Sequence, residues 1–300
     1  MYDGIINVYK EKGFTSHDVV ARMRGILGQK KVGHTGTLDP QAEGVLPVCA
    51  GKGTRLCDML TDRDKTYRAV LLLGTVTDTQ DTSGTVLETR DTGFLTEEAV
   101  REAIQSFTGD YLQIPPMYSA LKVNGKKLYE LARQGMEVER AARPVKILEI
   151  RIESMNLPEV VMTVSCSKGT YIRTLCHDIG RKLGCGGCMK ALVRTRVGIF
   201  SIENSITLDM LEKLKAEGRL SEAVIPVTEM FSGLRKIRSD NGTLDRLLQN
   251  GNPFRKKESP EPEDRESFRV YDSRDMFIGI YEFRKEKQMY CPRKIFLGGN

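Results

Sequence analysis

The spacing of apolar positions changes several times along the chain, and each change marks an element. Residues 4–9 read as a short strand, and Val19, Val20, Met23, Ile26 and Leu27 then fall on one face of a helix that Ser16 can cap. Residues 67–75 (YRAVLLLGT) are a strongly apolar run bounded by turn signals, the pattern of a central strand. Thr96 caps a second helix, with Val100, Ala103, Ile104 and Phe107 inward and Gly109 ending it. Residues 145–154 and 160–167 alternate as a strand pair around Asn156, Leu157 and Pro158. Ile172, Leu175, Ile179 and Leu183 give a helix over 170–183, followed by a returning strand at 191–200 and a last helix at 206–215. Past a linker at 224–233 the pattern becomes short strands at 268–271, 277–283 and 294–297, with a short helix before QNGNP. The expected class is α+β, with a mixed, antiparallel-rich sheet and flanking helices in residues 1–233. A small β-rich unit follows in residues 234–300.

Composition narrows the class of protein. A chain of 300 residues with 40% hydrophobic and 29% charged content can bury a sizeable core and is not of disordered composition. No apolar run approaches membrane-span length, and MYDGIINVYKEKG lacks the charged-then-apolar layout of a signal peptide, so a cytoplasmic protein is expected. Seven scattered cysteines suit a reducing compartment. The net charge of +6 permits a polyanionic partner. Most of that excess lies in residues 234–300, where 15 Lys and Arg against 11 Asp and Glu leave +4.

The candidate chemistry centres on residues 31–47, KVGHTGTLDPQAEGVLP. Its glycines allow close backbone approach, and Pro40 biases Asp39 away from the helical region. The product is a stiff loop presenting one carboxylate, although an isolated Asp-Pro most often forms only an Asx-type turn. Arg22, Arg24, Lys30 and Lys31, just before this loop, read as solvated helix charges. DTQDTSG at 78–84 reads as a polar loop, since it lacks the oxygen spacing and terminal acid of a cation loop. Residues 115–144 differ in kind, with Lys122, Lys126, Lys127, Arg133, Arg140 and Arg143 interleaved with Tyr118 and Tyr129. Cations there can neutralise phosphates and aromatic faces can accept bases, or the stretch can be a solvated helix and loop. Cys176, His177, Cys185 and Cys188 include a Cys-x-x-Cys spacing. Adjacent residues on a helix point in different directions, which argues against Cys176 and His177 sharing one ion. Residues 258–266, ESPEPEDRE, read as a disordered acidic loop.

GHTGTLDPQAEGVLP resembles the signature of the bacterial tRNA pseudouridine-55 synthase family (TruB), and KTYR, GTYIRTL and LVRT recur in that family's order. The family's opening Asp-Lys-Pro-x-Gly is here Tyr9-Lys10-Glu11-Lys12-Gly13, so its Asp and Pro are missing. The resemblance implies isomerisation of uridine to pseudouridine in the TΨC arm of tRNA, with the target base flipped out of its stack. It implies Asp39 as the reacting carboxylate, Arg173 as its partner and Tyr67 stacked on the uracil. Leu192 and Arg194 belong to the Leu-x-Arg motif lining the site, and His34 is the candidate for contacting the displaced stack. Residues 115–144, with Lys126 and Lys127, resemble the family's RNA-gripping insertion, and residues 234–300 resemble a PUA domain. No metal, no cofactor, no membrane and no obligate protein partner are expected, and the chain is expected to be a monomer. The alternative is an RNA-binding or tRNA-folding module without catalysis, which needs the basic insertion but not Asp39 with Arg173. A guide-RNA-dependent relative of the archaeal and eukaryotic type shares the catalytic motifs but requires protein partners.

Overall fold

The computed structural model describes residues 1–123, 125–258 and 260–297. Asn124 of the basic insertion, Ser259 of the acidic run and residues 298–300 of the C-terminal unit lie outside the described residues. The chain opens with β1 (Gly4–Lys10), α1 (Ser16–Leu27), β2 (Val32–His34), β3 (Glu43–Ala50), the short α2 (Cys57–Thr61) and β4 (Lys65–Leu73). A hairpin of β5 (Thr75–Thr77) and β6 (Val86–Thr89) leads to α3 (Glu97–Gln105) and β7 (Gly109–Gln113). The insertion holds a small ladder, β8 (Lys122–Val123) with β9 (Lys126–Lys127), and α4 (Leu128–Ala132). Then come β10 (Arg143–Asn156), β11 (Glu159–Cys166), α5 (Ile172–Lys182), β12 (Gly187–Val197), β13 (Phe200–Ser201), α6 (Leu208–Ala216) and β14 (Ile225–Pro226). The C-terminal unit contains β15 (Arg235–Arg238), α7 (Gly242–Gln249), β16 (Ser267–Tyr271), β17 (Phe277–Arg284) and β18 (Met289–Ile295).

Among the described residues ten strands join one sheet in the order β14-β1-β3-β12-β4-β11-β10-β7, with β2 added to β3 and β13 to β12. β12 is the pivot: it lies parallel to β3 and antiparallel to β4. That placement puts the strand after α5 directly beside the strand after the Asp39 loop. β1 and β3 are buried on both faces, so their period of two sorts side chains between two cores rather than between core and water. Ile6, Val8, Leu46 and Val48 pack under α1 and α6, whereas Ile5, Val45 and Cys49 face a second cluster. The largest cluster joins β4, β11 and β12 to α3 and α5. At the β3–β12 junction a side chain is impossible at Gly44, where a Cβ would stand 2.2 Å from the Arg194 carbonyl oxygen and φ is +106°.

Several boundaries differ from the sequence expectation. The cap of α1 is Thr15, in a reciprocal capping box with Asp18, while Ser16 is buried inside the helix for another purpose. α3 ends at Gln105, and Gly109, with φ +105°, opens β7 instead of closing the helix. Residues 224–233 do not form a loose linker: Ile225–Pro226 pairs with β1, and Phe231 is buried. Phe231 shares a cluster with Ile5, Val45, Ile280 and Phe296, so the C-terminal unit is seated on the first by an apolar contact. The last strand spans Met289–Ile295, earlier than expected, because Pro292 breaks the sequence pattern yet is tolerated on an edge strand. The described part of the acidic run lacks regular structure but is tied down, not disordered: Arg235 donates to the Pro260 carbonyl and pairs with Glu266. Among the described residues no helix is long and apolar enough to cross a membrane.

Candidate active site

The Asp39 loop links β2 to β3 and is fixed from three sides. From below, Arg194 is fully buried and spends its guanidinium on loop carbonyls, donating to Val45 O at 2.8 Å, Gly36 O at 3.2 Å and Thr37 O at 3.4 Å. From α1, the buried Ser16 hydroxyl accepts the Leu38 N–H at 2.9 Å, immediately before Asp39. From β1, the Lys10 ammonium donates to the carbonyls of Glu11, Phe14 and Pro40, and the Gly13 N–H also reaches Pro40 O at 2.9 Å. Lys10 and Gly13 are therefore the parts of the opening turn that hold the loop. The Asp and Pro missing from the resembled motif are not needed for those bonds.

Arg173 sits in the first turn of α5 with a side chain only 6% exposed, against 37% for Asp39. Its Nε lies 3.0 Å from Asp39 Oδ2 and its Nη2 donates to Oδ1 at 3.3 Å, a side-on bidentate pair. The remaining donors go elsewhere. Nη1 donates to Thr79 O at 3.0 Å and lies 3.7 Å from Asp81 Oδ2, while Nη2 also donates to Tyr118 O at 2.8 Å. One guanidinium thus gathers the Asp39 loop, the β5–β6 hairpin and the basic insertion. The arrangement keeps one carboxylate oriented and partly exposed, with its partner locked behind it.

The electrostatics follow from burial. Desolvation pushes the Asp39 pKa above the ordinary carboxylate value, and Arg173 pulls it back. Burial lowers Lys10 and Lys65 to about 8 each. Burial also raises Tyr67 to about 12, so at neutral pH it is a phenol that can donate but not accept a proton as a base. Tyr67 stands across from Arg194 in the β4–β12 register, and Leu192 faces Ala69 two pairs further along. Tyr67, Leu192, Leu38 and Ile172 belong to one buried apolar cluster, with Leu38 immediately before Asp39 and Ile172 immediately before Arg173. His34 lies on β2 with Nδ1 accepting the Gly36 N–H at 3.2 Å, and its ring meets His17 edge-on at 5.7 Å. Burial and the neighbouring His17 both lower its pKa, so it is neutral with its proton on Nε2.

The structure brings Asp39 and Arg173 together, sets Tyr67 and Leu192 in the adjoining apolar cluster, and places His34 at the end of β2 where the Asp39 loop begins. Arg194 is buried, with its guanidinium engaged by carbonyls of the loop and of β3 and set beside Tyr67, so it braces the Asp39 loop from beneath. Lys126 is exposed on β9, and Lys127 is half-buried with its ammonium 5.4 Å from the Tyr129 ring centroid. Arg133 lies 5.5 Å from the same centroid, so Tyr129 is already flanked by cations. Cys176, Cys185 and Cys188 are buried, and among the described residues no three His, Cys, Asp or Glu side chains converge as metal ligands. Sequence reading missed Lys10, Ser16, Thr79, Asp81 and the Tyr118 carbonyl. The DTQD string carried a signal for two of them, because its Asp and Thr residues tighten the hairpin tip that meets Arg173.

The model of the TruB family pseudouridylate synthase N-terminal domain matches residues 24–172, and that of the tRNA pseudouridylate synthase B C-terminal domain matches 173–232. The chain is 52% identical to tRNA pseudouridine synthase B of Lachnoclostridium phytofermentans, over 98% of this chain and 100% of that protein. It is 47% identical to the protein of that name from Clostridium tetani, over 95% and 96%. The chain belongs to the TruB family. Among solved structures, this TruB-family chain is similar to one in a Cbf5-Nop10-Gar1 complex, at 26% identity and a TM-score of 0.72 over 99% of this chain and 85% of that one. A chain of the archaeal box H/ACA Nop10-Cbf5 complex is 25% identical with a TM-score of 0.70, over 99% and 86%. The two matched segments of the TruB family build one sheet here, because β12, from the second, inserts between β3 and β4 of the first.

Proposed function

We propose that this TruB-family chain isomerises a uridine of the TΨC arm of tRNA, position 55, to pseudouridine, acting alone and as a monomer. The single observation that carries the chemistry is the partly open Asp39 carboxylate held in a bidentate pair by the buried Arg173. A binding module has no need of such a pair. The reaction breaks the bond from C1′ to N1 of uracil and forms one from C1′ to C5, while the proton lost from C5 is balanced by one gained at N1. No oxidant, reductant or water is consumed. Ordinary glycosidases use two carboxylates, one to protonate the leaving group. Here uracil leaves as a delocalised anion and is recaptured, so one ionised acid at the ribose suffices.

The base must be extruded to reach Asp39. Tyr67 and Leu192 supply a flat apolar wall for it, and the Tyr67 phenol is protonated and able to donate to the departing uracil. His34, neutral, takes the side of the displaced stack. Lys126 and Lys127 of the insertion, and the PUA-like unit of residues 234–300, hold the RNA backbone. The much higher identity to the bacterial tRNA enzymes than to the Cbf5 chains supports action without a protein partner. The test is incubation of the purified protein alone with unmodified tRNA, followed by mapping of pseudouridine. Conversion at the TΨC uridine without added protein or guide RNA is expected. Conversion only with a guide RNA and partner proteins overturns the stand-alone reading, and tight binding without conversion overturns catalysis.

A further inference from the structure

Gln80 stands at the tip of the β5–β6 hairpin with φ +63°, in the left-handed region that a non-glycine side chain seldom enters. Asn and Asp relieve that cost by bonding their own backbone. The Gln80 side chain instead accepts the Thr174 hydroxyl at 2.8 Å, from the residue that follows Arg173 on α5. Both peptides flanking Gln80 are in use. The preceding carbonyl, Thr79 O, accepts from Arg173 Nη1 at 3.0 Å, while Gln80's own carbonyl accepts the Met189 N–H of β12 at 3.0 Å. The left-handed φ turns these successive carbonyls to different partners. Asp81 is fixed in the same movement: its Oδ1 accepts from Thr79 Oγ1 and from Ser83 N and Oγ, which leaves Oδ2 on the Arg173 side at 3.7 Å. Besides Asp39, the groups around the Arg173 guanidinium are the carbonyls of Thr79 and Tyr118 and the Asp81 carboxylate, and two of the three come from the residues that flank Gln80.

We infer that Gln80 is a positioning residue for the reaction. Its left-handed backbone aims Thr79 O and Asp81 at Arg173 and so fixes the guanidinium against Asp39, and the bond to Thr174 is a secondary tether. This rests on the reading of Asp39 and Arg173 as the reacting pair. Backbone strain kept at an over-determined position beside a reactive group is where function is sought.

The test compares Gln80→Gly, Gln80→Ala and Gln80→Val, measuring single-turnover pseudouridine formation at saturating enzyme, tRNA affinity and melting temperature. Glycine enters the left-handed region freely and a β-branched residue resists it most. Gln80→Gly is therefore expected within about threefold of the wild-type rate, and Gln80→Val slower by roughly tenfold to a hundredfold, with affinity unchanged. Gln80→Ala falls between them and carries the comparison should the valine variant not fold. Equal rates in the glycine and alanine variants overturn the proposal. So does a loss that appears only in melting temperature, which marks an ordinary turn residue. Wild type and Asp39→Asn run in parallel: a wild type that converts and an Asp39→Asn that does not leave the underlying reading standing whatever Gln80 does. An Asp39→Asn that still converts overturns that reading instead.

Discussion

The surroundings of Asp39 disfavour its charged form. Its folded-state pKa is raised, so the folded protein binds more protons than the unfolded chain between the ordinary carboxylate value and the raised one. The stability contributed by this group is therefore full in acid and lost as pH rises through that window, which makes the ionised carboxylate a net cost at neutral pH. Asp39→Asn should melt no lower than wild type at neutral pH, and the difference should close as the pH falls to about 4; a variant that melts clearly lower at neutral pH contradicts this. The acid limb of the wild-type single-turnover rate should lie above the usual aspartate range, read from a pH series at saturating enzyme. Arg173→Lys keeps the charge but loses the planar fork that reaches Asp39, Thr79 and Tyr118 at once. It should slow the saturated reaction by roughly tenfold to a hundredfold with little change in tRNA affinity. Asp39, Arg173 and Tyr67 were legible in the sequence because long motifs carry them. Asp81 and Lys10 were not, since nothing in a polar loop or a lone lysine says which carbonyl or guanidinium the fold brings alongside. Arg194 was legible as a motif residue, but not the carbonyls that its guanidinium reaches under the loop.

At the scale of elements, apolar period was enough to find β1, α1, β4, α3, β10, β11, α5, β12 and α6, but not β3, whose residues follow the Asp39 loop without a break in the motif, nor the short strands β2 and β5–β7. Ends were less legible. Ser16 and Thr15 both qualify as caps by residue type, and only packing distinguishes them: Thr15 closes the capping box with Asp18, whereas Ser16 turns inward to Leu38. The two substitutions should separate accordingly. Thr15→Ala should cost about 1 kcal/mol of stability with the saturated rate nearly unchanged. Ser16→Ala leaves the buried Leu38 N–H unpaired next to Asp39, at a cost of about 1–3 kcal/mol, and should also slow the saturated reaction. Melting curves and single-turnover rates on both variants check this, and an equal effect on rate from each removes Ser16 from the loop's support. Residues 224–233 were misjudged because Pro226 and the polar ends suggest a linker. In the fold their apolar members, Val227 and Phe231, are buried.

For the whole molecule, charge and packing pull in different directions. The positive excess concentrated in residues 234–300 suits a separate RNA-holding unit, but the cluster joining Phe231, Ile280 and Phe296 to Ile5 and Val45 ties that unit to the first. Deleting residues 234–300 should therefore weaken tRNA binding and also lower the melting temperature of what remains, because apolar surface loses its cover. A truncated protein that melts as wild type and binds tRNA as tightly contradicts this. Affinity of the full chain should fall steeply with salt, as phosphate contacts require. On the proposed function, binding spread over distant cations is separable from chemistry concentrated on one carboxylate. The most direct measurement is single-turnover conversion of tRNA uridine by Asp39→Asn at saturating enzyme, with tRNA affinity determined in parallel. Conversion should fall by on the order of 10⁴-fold or more while affinity stays near wild type. Conversion near the wild-type rate contradicts Asp39 as the reacting group, and collapse of affinity makes its loop a structural part of the RNA-binding surface instead.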